Sequence, residues 1–199
     1  KLSAIIDHEK EYFDPWKLSS QTRTQQDVFK SKLVVFYHRQ STTLARGIKC
    51  MVLDYDLSSD YITAAHIWPS STNGRGLSRF RLEAKCLNDS RNGLLLHKSI
   101  EQGFDRKQIC FLYDLNADQL KTRLLCPSIR FEQIDNGITF GDIDGRPLQL
   151  PKGVWPYRRL LNWHVIRSFE YAREESWIDS SECVEDYFHM SDPRIEMPG

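Results

Sequence analysis

The stretch from Tyr61 to Arg106 constrains the fold more than any other part of the chain. It opens as Tyr-Ile-Thr-Ala-Ala-His-Ile-Trp-Pro, passes through a basic loop, and closes as Asn-Gly-Leu-Leu-Leu-His-Lys-Ser-Ile-Glu-Gln-Gly-Phe-Asp-Arg. Tyr61, Ile62 and Thr63 are β-formers, so the first block predicts a strand that carries His66 to its end and that Pro69 terminates. The second block predicts a turn at Asn92-Gly93, then the leucines, then a helix. On that helix Glu101 and Asp105 stand four apart and share one face. A base and two oxygen ligands can therefore converge.

This order, a histidine on a strand, an asparagine in a loop and a ligand on the following helix, resembles the HNH nuclease family with its ββα-metal fold. The variant it resembles reads Ala-Ala-His-Ile, then Asn-Gly-Leu-Leu-Leu, then Phe-Asp, as in bacterial and fungal HNH proteins and the C-terminal domains of Crinkler effectors. The resemblance runs from Cys50 to about Phe111 and rests on three blocks in the same order, which is more specific than any one block. It implies an α+β chain with a ββα-metal core, flanking helices and a β-rich C-terminal extension. It also implies an endonuclease hydrolysing phosphodiester bonds of double-stranded DNA with a divalent cation, inside the cell and, for an effector, in the host nucleus. The alternative is a DNA-binding effector module with a degenerate site and little or no turnover. A protein-interaction domain on a dead nuclease scaffold is a third class.

Phosphodiester hydrolysis needs a base to deprotonate water, a cation to stabilise the departing oxygen, and a frame that keeps the imidazole neutral. The resemblance gives His66 the role of base, although a lone histidine between apolar neighbours is also what a core histidine looks like. It makes Asn92 the residue that pins the catalytic loop, while an Asn-Gly turn alone would use the same residue. Glu101 stands where many relatives have a last histidine, so the letters read His-Asn-Glu. The implied metal ligands are Glu101, Asp105 and His66, with Asp105 equally suited to a polar contact at the helix end. Hard oxygens favour Mg²⁺ or Mn²⁺ over softer ions. Ala65 occupies a position where many family members place a ligand. His97 points at least a third of a turn from Glu101 and is the weaker candidate.

Lys+Arg and Asp+Glu balance at 27 each, so a nucleic-acid surface has to come from local segregation of charge. Between Ser70 and Arg91 such segregation occurs, with Arg75, Arg79, Arg81, Lys85 and Arg91 against Glu83 and Asp89. These side chains are either phosphate contacts or a solvated loop. The five cysteines form no Cys-x-x-Cys pair, which argues against a zinc ribbon and for a reducing compartment. No apolar run approaches the ~20 residues of a membrane span, so no membrane partner is expected, nor a small-molecule cofactor. The start at Lys1, without a charged-then-apolar leader, suggests a fragment of a longer chain.

At 199 residues and ordinary globular composition, one domain is expected over 23–178, with an aromatic N-terminal arm at 1–22 and an acidic tail at 179–199. Thr24 to about Leu44 favours a helix capped by Thr24, although Val34 to Tyr37 is equally strand-like. Cys50 to Leu53 reads as a strand that pairs with the His66 strand. Further strands are expected at Ile109–Tyr113, Leu124–Phe131 and Ile138–Leu150, with hairpin turns at Asn136-Gly137 and Asp144-Gly145. Pro156 to about Trp177 predicts an amphipathic helix, apolar at Tyr157, Leu161, Val165, Phe169 and Ala172, with Arg158, Arg159, Asn162 and Arg173 mostly opposite.

Overall fold

The computed structural model describes residues 23–184, so the N-terminal arm and most of the acidic tail lie outside the described residues. The elements run α1 (Arg23–Phe36), β1 (Gly47–Lys49), β2 (Asp56–Ser58), β3 (Ile62–His66), β4 (Gly93–His97) and α2 (Lys98–Asp105). They continue with β5 (Ile109–Asp114), β6 (Gln119–Leu124), β7 (Gln133–Asp135), β8 (Ile138–Thr139), α3 (Phe140–Ile143) and α4 (Arg158–Glu174). The strands pair antiparallel in twos, β1 with β2, β3 with β4, β5 with β6 and β7 with β8, giving two-stranded sheets among helices, a mixture compatible with the expected α+β class. No described helix is long and apolar enough to cross a membrane.

The His66 strand does not pair with Cys50–Leu53, as the sequence had suggested. Met51 to Leu53 form a buried turn, Asp54 takes a left-handed φ of 58°, and the short strands flanking this turn pair with each other. The turn still docks on the motif, because the Met51 N–H donates to the Leu95 carbonyl at 2.9 Å. The partner of β3 is β4, with Ile62 opposite His97 and His66 opposite Gly93. Every residue of β4 is buried, since α1 and the Met51 turn pack around it, which explains an unbroken leucine run where a one-sided strand would alternate.

Helix α1 takes the helical option over Val34–Phe36, but it already includes Thr24 and stops before a left-handed His38. Strand β6 ends where a strand was expected to begin. Pro127, lacking an N–H, opens a short 3-10 turn instead, and Phe131 is left 84% exposed. The strand expected over Ile138–Leu150 survives only as Ile138–Thr139. There the Thr139 hydroxyl accepts from the Asp142 N–H and the Asp142 carboxylate accepts from the Thr139 N–H, a reciprocal cap that starts α3.

Asn136-Gly137 does form a hairpin turn, with φ of 46° and 79°. Asp144-Gly145 turns the chain without joining two strands. Helix α4 ends with Ser176 in the left-handed region, where the Trp177 N–H reaches back to the Ala172 carbonyl at 2.8 Å. Its Arg159, expected on the solvent face, is 4% exposed and donates to the Phe80 carbonyl. The described start of the acidic tail docks through Glu182, which meets Arg123 at 3.1 Å and accepts from Arg173 at 2.8 Å.

Candidate active site

His66 ends β3 opposite Gly93, and that pairing determines what covers the imidazole. A Cβ on Gly93 would lie 2.6 Å from the Phe29 ring and 2.8 Å from Leu33, so the missing side chain is what admits α1 to the sheet. Phe29 uses the space to stack on the His66 ring, with centroids 3.9 Å apart and planes 14° from parallel. His66 Nε2 is buried without a hydrogen-bond partner, while the Asn88 side chain hydrogen-bonds the imidazole. Burial pushes the imidazole down to about 4, partly offset by Asn88, so His66 is neutral near pH 7. Neutrality is what a proton acceptor requires.

Asn92 closes a 3-10 turn, Ser90–Asn92, that Asp89 caps through the Arg91 N–H. Its side chain is fully buried and committed to the main chain. Oδ1 accepts from the Trp68 N–H at 2.8 Å, and Nδ2 donates to the Leu87 and Trp68 carbonyls at 2.8 and 3.2 Å. Its own carbonyl accepts from the Ile67 N–H at 2.9 Å. Asn92 thus fixes the two residues that follow His66.

On α2 the buried face is Ile100, Gly103 and Phe104, which turns Glu101 and Asp105 toward the other side. Glu101 is half-buried, Asp105 is exposed, and neither carboxylate has a hydrogen-bond or ion-pair partner among the described residues. Burial raises the Glu101 carboxyl. Asp105 is pushed up to about 7, first by the protein packed round it and then by the Glu101 charge one turn back, although the residue's outer surface meets solvent. His97 is occupied otherwise, since its Nδ1 accepts the Ser99 N–H and caps the helix. Among the described residues no three His, Cys, Asp or Glu side chains cluster as a metal site, so His66, Glu101 and Asp105 are not gathered into one shell.

The Asp105 shift has a consequence for stability. Between the ordinary carboxyl range and about 7 the folded chain keeps a proton that the unfolded chain has released, so stability falls as pH rises through that window. Asp105→Asn should therefore stabilise the protein at about pH 8, by about 1 kcal/mol once solvent screening of an exposed group is allowed for, with the gain shrinking toward about pH 4. Thermal melts at the two pH values check this. A gain independent of pH would mean that the charge is not its source.

Of the basic loop, Arg75, Arg79, Arg81 and Lys85 are exposed, Lys85 in an ion pair with Glu83 at 2.9 Å. Arg91 is held inside the fold. It donates to the Trp155 carbonyl at 3.3 Å and lies 4.4 Å over the Tyr157 ring, joining the loop to the start of α4. All five cysteines are free thiols. Sequence reasoning missed Phe29 and Asn88, two side chains that lie against the imidazole. Phe29 sits in an ordinary amphipathic helix and Asn88 in a loop without periodicity, so neither carried a signal.

The segment thus presents a neutral strand-end imidazole, an amide that fixes the chain beside it, and two carboxylates on the next helix that have no hydrogen-bond or ion-pair partner among the described residues. Residues 50–112 match the family model described as HNH endonuclease. No curated protein matches the chain.

Proposed function

We propose that this protein is a divalent-cation-dependent endonuclease that hydrolyses phosphodiester bonds in double-stranded DNA, with His66 as general base. The observation that carries the reading is the Asn92 bridge to Trp68, which fixes the strand end bearing the imidazole inside the matched segment. In the family fold a helix ligand follows the second strand, and β3, β4 and α2 have that order here.

The residues present fit a hard cation. Glu101 and Asp105 are adjacent on one face and unpartnered among the described residues; burial raises both carboxyls, and the Glu101 charge adds to the rise at Asp105. They would hold Mg²⁺ or Mn²⁺ through carboxylate oxygens, with water and phosphate oxygens completing the shell. A cation bound there supplies charge stabilisation for the departing 3′ oxygen. His66 takes the proton from the attacking water, and Asn92 keeps the strand end from swinging. The exposed arginines grip neighbouring phosphates, where Lys and Arg provide sequence-independent affinity by releasing counterions.

Nicking of supercoiled plasmid in Mg²⁺, in Mn²⁺ and in EDTA tests the proposal, with Glu101→Gln beside wild type. Cleavage in either cation that disappears in EDTA and falls in Glu101→Gln supports it, and cleavage undiminished by EDTA removes the cation from the mechanism. A second reading, a DNA-binding module with little turnover, is favoured by the partnerless burial of His66 Nε2 and by Ala65, which offers no donor. Salt-sensitive retention of DNA without nicking in any cation would select it.

Both readings need the loop. Neutralising Arg75, Arg79 and Arg81 together should flatten the plot of log affinity against log salt, by roughly one unit per lost phosphate contact. An unchanged slope would leave the loop as solvated surface.

A further inference from the structure

The matched segment ends at residue 112, yet two residues of α4 pack against both of its halves. His164 is buried against α2, and its Nε2 lies 3.0 Å from the Phe104 carbonyl oxygen. A carbonyl only accepts, so Nε2 carries the hydrogen and Nδ1 holds the lone pair, 3.3 Å from the Ser168 hydroxyl. The same imidazole stacks on the Phe104 ring, with centroids 3.7 Å apart and planes 12° from parallel. Main chain and side chain of a single α2 residue are thus both gripped. Phe104 immediately precedes Asp105 and follows Glu101 by three, so its orientation sets theirs.

One residue earlier on α4, Trp163 packs on Trp68 with ring centroids 4.8 Å apart. Trp68 is the residue that Asn92 bonds at both N–H and carbonyl, two positions after His66. Consecutive residues of α4 therefore brace the imidazole arm and the carboxylate arm. Packing alone does not call for a histidine at 164. Desolvating an imidazole is costly and a leucine would fill an apolar space, whereas a fixed donor aimed at a helix-end carbonyl needs the ring nitrogen.

We propose that His164 is a positioning residue that fixes the rotation of α2 and so the direction in which Glu101 and Asp105 present their carboxylates to a divalent cation. This rests on reading that pair as cation ligands. The test compares wild type with His164→Phe, which keeps the ring stack and removes the donor, and with His164→Gln, whose amide restores a donor at similar reach. Mn²⁺ is titrated by calorimetry, and amide exchange is followed at Arg106 and Lys107, whose N–H groups bond the Gln102 and Phe104 carbonyls.

His164→Phe should bind Mn²⁺ about tenfold more weakly and exchange faster at these amides, with His164→Gln within about threefold of wild type. Equal Mn²⁺ affinity in wild type and a folded His164→Phe overturns the proposal, as does a folded His164→Gln that binds no better than His164→Phe. Should His164→Phe fail to fold, His164→Asn takes its place, since its shorter amide stops short of the carbonyl. A wild type that binds no Mn²⁺ refutes the metal reading on its own. The brace is then judged by exchange, and unchanged exchange in the donorless variant refutes it.

Discussion

His66→Ala should lower plasmid nicking by ~10²- to 10⁴-fold, the usual cost of losing a general base. The imidazole also stacks on Phe29, so alanine leaves a void under α1 and lowers the melting temperature as well. His66→Gln is the fairer variant, because it fills much of that space and cannot act as a base near pH 7. Both variants should retain DNA with wild-type salt dependence, the arginine loop being untouched. The pH profile adds a second check. Since His66 is held down to about 4, it is already neutral near pH 7, and a limb near 7 is expected from Asp105. Cleavage in wild type should therefore climb as pH passes about 7, and Asp105→Asn should flatten that limb. Unchanged nicking by a homogeneous His66→Gln preparation would remove His66 from the mechanism.

What the sequence made legible was local. His66 at a strand end and Glu101 and Asp105 on one face of a helix follow from residues within one element, and α2 and α4 carry helical spacing strong enough to stand alone. Pairing across distance was not legible. The strand that completes β3 begins 27 positions after His66, beyond a loop of short 3-10 turns with no period, and a nearer apolar run at Cys50–Leu53 offered itself instead. Competing local chemistry hid other elements. Ile138, Thr139 and Phe140 are β-formers, but the reciprocal cap of Thr139 and Asp142 turns the chain into a helix. Arg159 was placed on the polar face of α4 because nothing near it in sequence announces the Phe80 carbonyl that receives it. The same blindness applied to Phe29, Asn88 and His164, each of which acts on the site through a contact made by tertiary packing. The motif letters name the candidate groups, and residues far from them in sequence pack around those groups.

Asn92 separates the two readings that its Asn-Gly context left open. A turn-forming asparagine earns its place by tolerating a left-handed backbone, yet Asn92 has no positive φ and Gly93 is extended at −143°. The side chain, with one accepted and two donated hydrogen bonds at zero exposure, is what the position requires. Asn92→Ala would leave the Trp68 N–H and the Leu87 and Trp68 carbonyls facing a dry cavity, where each unsatisfied group costs roughly 1–3 kcal/mol. The expected loss is about 3–5 kcal/mol, a large part of the ~5–15 kcal/mol that holds a domain folded. Asn92→Asp discriminates further. Aspartate is as good a turn residue and nearly the same shape, so a turn role predicts little change. As a pin it lacks both N–H donors and brings a charge into a buried site, which makes it at least as damaging as alanine. Urea denaturation of the three proteins measures the difference, and nicking at a temperature where the variants are still folded should fall with the loss of the fixed strand end. Near-wild-type stability in Asn92→Asp would return Asn92 to the role of a turn residue.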